Sequence, residues 1–129
     1  MAKIKMGWAE VDITPEKGKK ISLAGQFFER ITDEVESPIS VTALAVESAN
    51  DCFIICSCDL VCVSDNLNKI VKDRLAEEGT VNPDKVILSS IHTHTSYVYT
   101  RKTLISTESG SFDYLKKAIP EDMAYKPLV

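Results

Sequence analysis

One stretch of the sequence determines the architecture to expect. Residues 52–91 read CFIICSCDLVCVSDNLNKIVKDRLAEEGTVNPDKVILSSI. The stretch opens with an apolar run that is typical of a buried strand, and a second such run covers residues 85–91. Between them, Ser64 or Asp65 can cap a helix whose apolar residues recur at the helical period, and Gly79 can end it. The stretch therefore predicts a strand, a helix and a second strand.

A strand, a helix and a strand in this order form a βαβ unit, whose two strands lie parallel with a right-handed connection. The strand of residues 52–58 is apolar on both faces, so we expect a central strand that is covered on both sides. The carboxyl ends of both strands then lie at one edge of the sheet, which is where open α/β sheets place their ligands.

The flanking segments extend this unit into a mixed sheet. Residues 39–47 are rich in β-branched side chains, and turn residues at 48–51 predict an antiparallel hairpin with the next strand. Residues 7–13 alternate as a half-buried strand does, whereas residues 16–38 predict a long loop and residues 112–119 a helix. We predict an α/β fold with a mixed β-sheet, a βαβ unit and helices packed on the sheet.

Composition limits the classes of function. The chain has 129 residues, 44% of them hydrophobic, which is typical of one globular domain over residues 1–129. With 15 Lys and Arg against 19 Asp and Glu the net charge is −4, so we expect no nucleic-acid partner. No apolar run approaches the roughly 20 residues of a membrane-spanning helix, and we see no signal peptide, so we expect a cytoplasmic protein without a transmembrane segment.

The four cysteines fall within eleven consecutive residues. Cys52, Cys56 and Cys58 share one face of the predicted buried strand, where small apolar side chains pack into a core. Cys62 lies just past that strand and can be accessible. A thiolate metal site needs ligands that converge from loops, so we expect four reduced, structural cysteines instead.

The only two histidines are His92 and His94, directly after the second strand of the βαβ unit. Residues two apart in an extended chain project to the same face, so both imidazoles can approach one ion. Neutral imidazole is a preferred zinc ligand, and Asp59 at the end of the neighbouring strand can act as a third ligand or orient a histidine. The alternative is a pair of strand-end histidines that hydrogen-bond to backbone or water.

Several segments together resemble one protein family, and the match covers about residues 7–95. These segments are GWAEVDITP at 7–15, LAGQ at 23–26 followed by Arg30, PISVTALAVE at 38–47, SCDL at 57–60 and VILSSIHTH at 86–94. They resemble the N-terminal part of the neutral/alkaline (non-lysosomal) ceramidase family. The strand that runs into His-Thr-His is the most specific piece.

The resemblance implies a zinc amidohydrolase that cleaves the N-acyl bond of sphingolipids, a reaction of lipid metabolism. It implies zinc as cofactor, with His92 and His94 at the metal, His94 and Asp59 as catalytic residues, and Gln26 and Arg30 as substrate-binding residues. The partner would be a small-molecule or lipid-like amide substrate. In the family, a second histidine, a glutamate and a tyrosine complete the metal site, downstream of the matched part.

Two hypotheses follow. In the first, the chain is the N-terminal portion of a ceramidase-like zinc-dependent amide hydrolase that uses a metal-activated water. In the second, it is a non-catalytic binding or structural module built on the same scaffold. Because two imidazoles and one carboxylate are few ligands, a homo-oligomer or a further C-terminal region would have to complete a hydrolytic site. We therefore expect the chain alone to bind zinc weakly and to hydrolyse N-acyl amides slowly or not at all.

Overall fold

The structure, a computed structural model, describes residues 3–25 and 30–99. The helix predicted for residues 112–119 lies outside the described residues. In chain order the elements are β1 (Lys5–Asp12), β2 (Ile21–Ser22), β3 (Ile31–Thr32), β4 (Ser40–Glu47), β5 (Cys52–Cys58), α1 (Asp65–Glu78), a short 3-10 turn (Pro83–Lys85) and β6 (Val86–Ser90).

Four of the strands form one mixed sheet in the order β1-β4-β5-β6. The pairs β1/β4 and β4/β5 are antiparallel, whereas β5 and β6 are parallel, with Ile54 opposite Val86. Helix α1 connects the two parallel strands. The predicted βαβ unit and the α/β fold with a mixed sheet are thus confirmed.

Helix α1 begins and ends where its capping residues predict. The Ser64 hydroxyl accepts a hydrogen bond from the Leu67 backbone N–H (3.2 Å), which satisfies one of the free donors of the first turn. Gly79 has a left-handed backbone (φ 67°) and donates its N–H to the Leu75 carbonyl. Leu67 and Val71 face the core. Within residues 3–25 and 30–99, the helices lack the length and the apolar composition of a membrane span.

The core lies between α1 and the carboxyl-terminal half of β5. It contains Ile13, Ile21, Cys58, Leu60, Leu67, Tyr97 and Tyr99. Tyr97 and Tyr99 are only 1% and 2% exposed, although the sequence after Thr95 shows no clear pattern. The segment enters the core because it pairs with residues 22–24, through hydrogen bonds from Ala24 N–H to the Ser96 carbonyl and from Val98 N–H to the Ser22 carbonyl.

The face of the sheet opposite α1 is open. Trp8, Leu44, Ile55 and Ile87 are paired across the four strands as one row on this face, which we call the open row. Their side chains are 38% to 79% exposed. The expectation that the strand of residues 52–58 is covered on both sides is therefore wrong for the described residues, because α1 packs only on the face that carries Cys58.

Two other expectations need correction. Strand β1 is an edge strand and all of its residues are exposed, so it is not half-buried as its alternation predicts. The predicted loop of residues 16–38 contains the two-stranded ribbon β2/β3, in which Ile21 pairs with Thr32 and Ser22 with Ile31. Two-residue strands leave too short a pattern to be recognised in the sequence.

All four cysteines are free thiols. Cys52, Cys56 and Cys58 lie on one face of β5, as predicted, but their burial increases along the strand, and Cys52 is exposed. Burial raises the pKa of the Cys58 thiol to about 11. The core position predicted for these residues is therefore correct for Cys58 and wrong for Cys52.

The open row can be probed through Trp8, the only tryptophan of the chain. Because Trp8 is 79% exposed, we expect it to fluoresce like indole in water and acrylamide to quench it completely. The measurement is the emission spectrum of the folded chain across a range of protein concentrations, with the urea-unfolded chain as reference. Blue-shifted emission that acrylamide does not quench would show that this face is covered in solution.

Candidate metal centre

The segment that carries both histidines leaves β6 and runs along the chain that leaves β5. The Ile91 N–H donates to the Cys58 carbonyl (3.0 Å), and the Thr93 N–H donates to the Leu60 carbonyl (3.3 Å). The parallel pairing of β5 and β6 thus continues past the ends of both strands. It holds the His-Thr-His segment at the carboxyl edge of the sheet, the edge that the sequence predicts.

One ring nitrogen of His92 has a defined role. Nδ1 lies 2.7 Å from the Val61 carbonyl oxygen. Because a carbonyl oxygen only accepts, Nδ1 must carry the hydrogen, and in the neutral ring Nε2 then carries the lone pair. The His92 backbone is left-handed (φ 61°), an uncommon conformation outside glycine that is found at functional sites.

The structure brings the rings of His92 and His94 together. Their Nε2 atoms are 3.4 Å apart, and the ring planes meet at 70° with the centroids 5.1 Å apart. Two nitrogens that each lie about 2.0–2.1 Å from one tetrahedral zinc ion are separated by about 3.4 Å. The two imidazoles therefore fit one half of a zinc site.

Gly25 packs directly against the ring of His94. A Cβ atom at this position would overlap Cγ of His94, far inside van der Waals contact. The Gly25 backbone also has a φ of 86°, which side chains disfavour. Glycine is thus required here for two independent reasons, and the sequence alone indicates neither of them.

Arg30 fixes the backbone around His94. Its Nη2 donates to the carbonyl oxygens of Ala24 (2.9 Å) and His94. These bonds join the β2/β3 ribbon to the His-Thr-His segment. Of the two residues predicted to bind substrate, Arg30 therefore has a positioning contact in the structure, and Gln26 lies outside the described residues, so their substrate role stays a prediction.

Asp59 holds the end of β5 against the start of β4. Its Oδ2 accepts from the Ser40 N–H (2.8 Å) and the Ser40 hydroxyl (3.3 Å), and its own N–H donates to the Ser40 carbonyl. Among the described residues, no three His, Cys, Asp or Glu side chains are placed to hold one metal ion. The structure thus does not bring Asp59 to the imidazoles as a third ligand, and its catalytic role stays a prediction.

Sequence reasoning missed Tyr99, which supports the site from the core. Its hydroxyl donates to the Cys62 carbonyl (2.9 Å) and accepts from the Ser64 N–H (2.8 Å). These bonds hold the connection between β5 and α1, and Val61 on this connection supplies the acceptor for His92. The alternation of bulky Tyr97, Val98 and Tyr99 after a polar segment is the only sequence signal of this role.

Comparison with solved structures shows a similar fold in two ceramidase structures. A neutral ceramidase from Pseudomonas aeruginosa matches with a TM-score of 0.66 and 21% identity over 74% of this chain. A structure of a ceramidase complexed with C2 matches with a TM-score of 0.62 and 20% identity over 74% of this chain. This chain covers 16% of each of those chains. No family model and no curated protein matches the sequence. At this identity the likeness shows the shared fold alone.

The contact between Gly25 and His94 predicts an effect of Gly25→Ala. We expect the free energy of unfolding to fall by about 2–5 kcal/mol, because the left-handed backbone costs about 1–2 kcal/mol and overpacking about 1–3 kcal/mol. The matched control is Gly18→Ala, since Gly18 has a φ of 85° but no atom within 4 Å of the added Cβ. Urea unfolding measures both, and equal losses would contradict the steric role of Gly25.

The hydrogen bonds of Tyr99 predict a loss of stability in Tyr99→Phe. Without the hydroxyl, the half-buried Ser64 N–H loses its partner, and the lost hydrogen bond costs about 0.5–1.5 kcal/mol. Urea unfolding of this variant measures the loss. An unchanged midpoint would show that the connection between β5 and α1 is held by other contacts.

Proposed function

We propose that this chain is the metal-binding N-terminal portion of a ceramidase-like zinc amidohydrolase, which hydrolyses an N-acyl linkage in a lipid-like amide such as a sphingolipid. The observation that carries the proposal is the 3.4 Å separation of the two Nε2 atoms, with the tautomer of His92 set by the Val61 carbonyl. The shared fold with solved ceramidases supports the reaction class.

His92 and His94 would hold the zinc ion. When bound, zinc polarises an amide carbonyl and lowers the pKa of a water molecule to near 7. The other groups of the chain orient the ligands: the Val61 carbonyl keeps a hydrogen on His92 Nδ1, while Gly25 and Arg30 limit the positions open to His94. Such outer contacts fix ring orientation and raise the basicity of a metal-binding histidine.

Other residues carry the proposed proton transfer and substrate binding. Asp59 is the carboxylate we propose for proton transfer with His94, because both follow neighbouring parallel strands at the same edge of the sheet. Gln26 and Arg30 are the residues that we propose to contact the substrate. The four free thiols favour action in a reducing compartment such as the cytoplasm.

The remaining metal ligands must come from outside this pair of imidazoles. Hydrolytic zinc sites use about three protein ligands and one open position. A second copy of the chain, or further residues of a longer protein, can supply the missing ligand.

The second hypothesis, a non-catalytic binding module, draws its support from the open row. An apolar strip across four strands is a feature of surfaces that meet another layer of structure. This hypothesis needs no metal at the histidines. Zinc binding therefore separates the two hypotheses.

We expect zinc to bind weakly and with at most one ion per chain, and His92→Ala or His94→Ala to lower the affinity at least tenfold. The physical reason is that each variant leaves a single imidazole. Calorimetric titration with zinc measures affinity and stoichiometry, and the absorption spectrum of bound cobalt reports nitrogen ligation without any assay of activity. Identical zinc affinity in the wild type and in His92→Ala would contradict the proposed site.

Asp59→Asn is the informative companion variant. If Asp59 only binds Ser40, this variant lowers stability and leaves zinc affinity unchanged, whereas a ligand role would lower affinity. Hydrolysis of short-chain N-acyl amides, measured with and without zinc, tests the reaction. We expect a slow rate at most, and any zinc-dependent rate must be absent in His92→Ala; a rate that zinc raises equally in both proteins would contradict the mechanism.

A further inference from the structure

The outer edge of β1 is an unprotected edge of the sheet. Strand β1 is the first strand of the order β1-β4-β5-β6, and within the described residues it pairs only with β4. All of its residues are exposed, and its pairing with β4 runs without a bulge from Lys5 to Asp12. Proteins commonly protect a sheet edge with a proline, a bulge, a very short strand or lysines. Strand β1 has only one lysine, at its first residue, so its edge can pair with another strand.

Alternate residues of β1 direct their backbone groups to this edge. The Ile13 N–H donates to the Ile39 carbonyl (3.0 Å), so the odd-numbered residues of the strand face β4. Because the direction of the N–H and C=O groups alternates along a strand, the even-numbered residues face outward. Met6, Trp8 and Glu10 therefore present backbone donors and acceptors that no described strand uses.

The charges along this edge are self-complementary. Lys3 and Lys5 lie at its amino end, whereas Glu10 and Asp12 lie at its carboxyl end. If two copies pair antiparallel, the basic end of each strand lies beside the acidic end of the other, whereas parallel copies would place like charges together. The lysines and the acids project from opposite faces of the sheet, and Lys5 also bonds to Glu47 of its own chain (2.9 Å). The attraction is therefore modest and sensitive to salt, but it favours the antiparallel orientation.

The opposite edge of the sheet lacks both features. Strand β6 has only five residues, so it offers fewer backbone groups to a partner. Lys85 precedes this strand, but no carboxylate lies in β6 or in the His-Thr-His segment that follows it. Two copies of β6 thus have no complementary ends, and β1 is the edge that suits a second copy.

We propose that the outer edge of β1 binds a second copy of this chain, as an antiparallel pair of β1 strands related by a twofold axis perpendicular to the sheet. The same residues of both copies form the interface, and even-numbered residues pair with even-numbered residues because these carry the outward groups. The two sheets then form one eight-stranded sheet, and both open rows stay uncovered on the same side of it. The proposal does not depend on the metal centre, because the two histidines follow β6 at the opposite edge.

The test measures the oligomeric state of the full 129-residue chain by analytical ultracentrifugation, from micromolar to millimolar concentration. Zinc is absent, and a reducing agent is present because all four cysteines are free thiols. An interface of one strand edge is smaller than a standard protein interface, so we expect a reversible dimer with a dissociation constant on the order of 0.1 mM. A chain that is still monomeric at millimolar concentration would overturn the proposal.

Two substitutions of Glu10 separate the backbone from the charge. Glu10→Pro removes an outward N–H and leaves the groups that face β4, so we expect it to weaken the dimer at least tenfold. Glu10→Gln keeps the N–H and removes the charge, so we expect a loss of about threefold. Added salt should weaken the dimer of the wild type more than that of Glu10→Gln. The matched control is Glu77→Gln in α1, which changes the net charge equally and should not weaken the dimer.

Hydrogen exchange followed by NMR locates the interface without any substitution. We expect the amides of Met6, Trp8 and Glu10 to exchange more slowly as the protein concentration rises. The amides of Gly7 and Ala9 should exchange slowly at every concentration, because they face β4. A dimer that forms without slowing the even-numbered amides would contradict pairing through β1.

Stacking of two copies through their open rows is the alternative that the test must exclude. Ile87→Lys places a charge in the open row on β6, at a residue that is 54% exposed and lies at the opposite edge from β1. We expect this variant to dimerise like the wild type. Loss of the dimer in Ile87→Lys and its persistence in Glu10→Pro would overturn the proposal in favour of stacking. His92→Ala should leave the dimer unchanged, so failure of the metal centre and failure of the β1 pairing are distinguishable.

Discussion

The parallel pairing of β5 with β6 is the interaction on which the candidate site depends. Its hydrogen bonds continue beyond the strands, from Ile91 to Cys58 and from Thr93 to Leu60, and so draw the His-Thr-His segment against the connection that follows β5. Only this continuation places the Val61 carbonyl next to a ring nitrogen of His92. If the strands slipped by one residue, every side chain would turn to the opposite face and the acceptor of His92 would be lost.

The parts of the fold that sequence analysis predicted are those with local signals. Ser64 and Gly79 mark the ends of α1 through their own backbone chemistry, and the apolar runs of β5 and β6 mark the strands. The open row could not be predicted, because an apolar strand reads the same whether or not another layer covers it. The burial of Tyr97 could not be predicted either, because it depends on pairing with Leu23, which lies more than seventy residues earlier in the chain.

Sequence analysis likewise predicted some features of the candidate site and missed others. The spacing of His92 and His94 indicates a shared face from the sequence alone, and the structure brings their rings together. The groups that orient these rings are distant in sequence: Arg30 reaches the His94 carbonyl across 64 positions, and Gly25 is still more remote from the ring it contacts. No local pattern encodes such contacts. Asp59 lies at the strand end, as expected, but its side chain binds Ser40. This contact exists because β4 pairs with β5, and the sequence around Asp59 does not indicate it.

The open row has a thermodynamic consequence for the chain by itself. Unfolding raises the heat capacity in proportion to the apolar surface that becomes newly hydrated. Trp8 and its three neighbours in the row are already largely hydrated in the folded state, so they contribute little to that change. The stability of the chain should consequently vary less with temperature than that of a fully covered domain of equal length, and its unfolding should depend less steeply on urea concentration. If a further layer of structure packed onto the open row, the temperature dependence of stability and the urea dependence of unfolding would both rise to those of a fully covered domain.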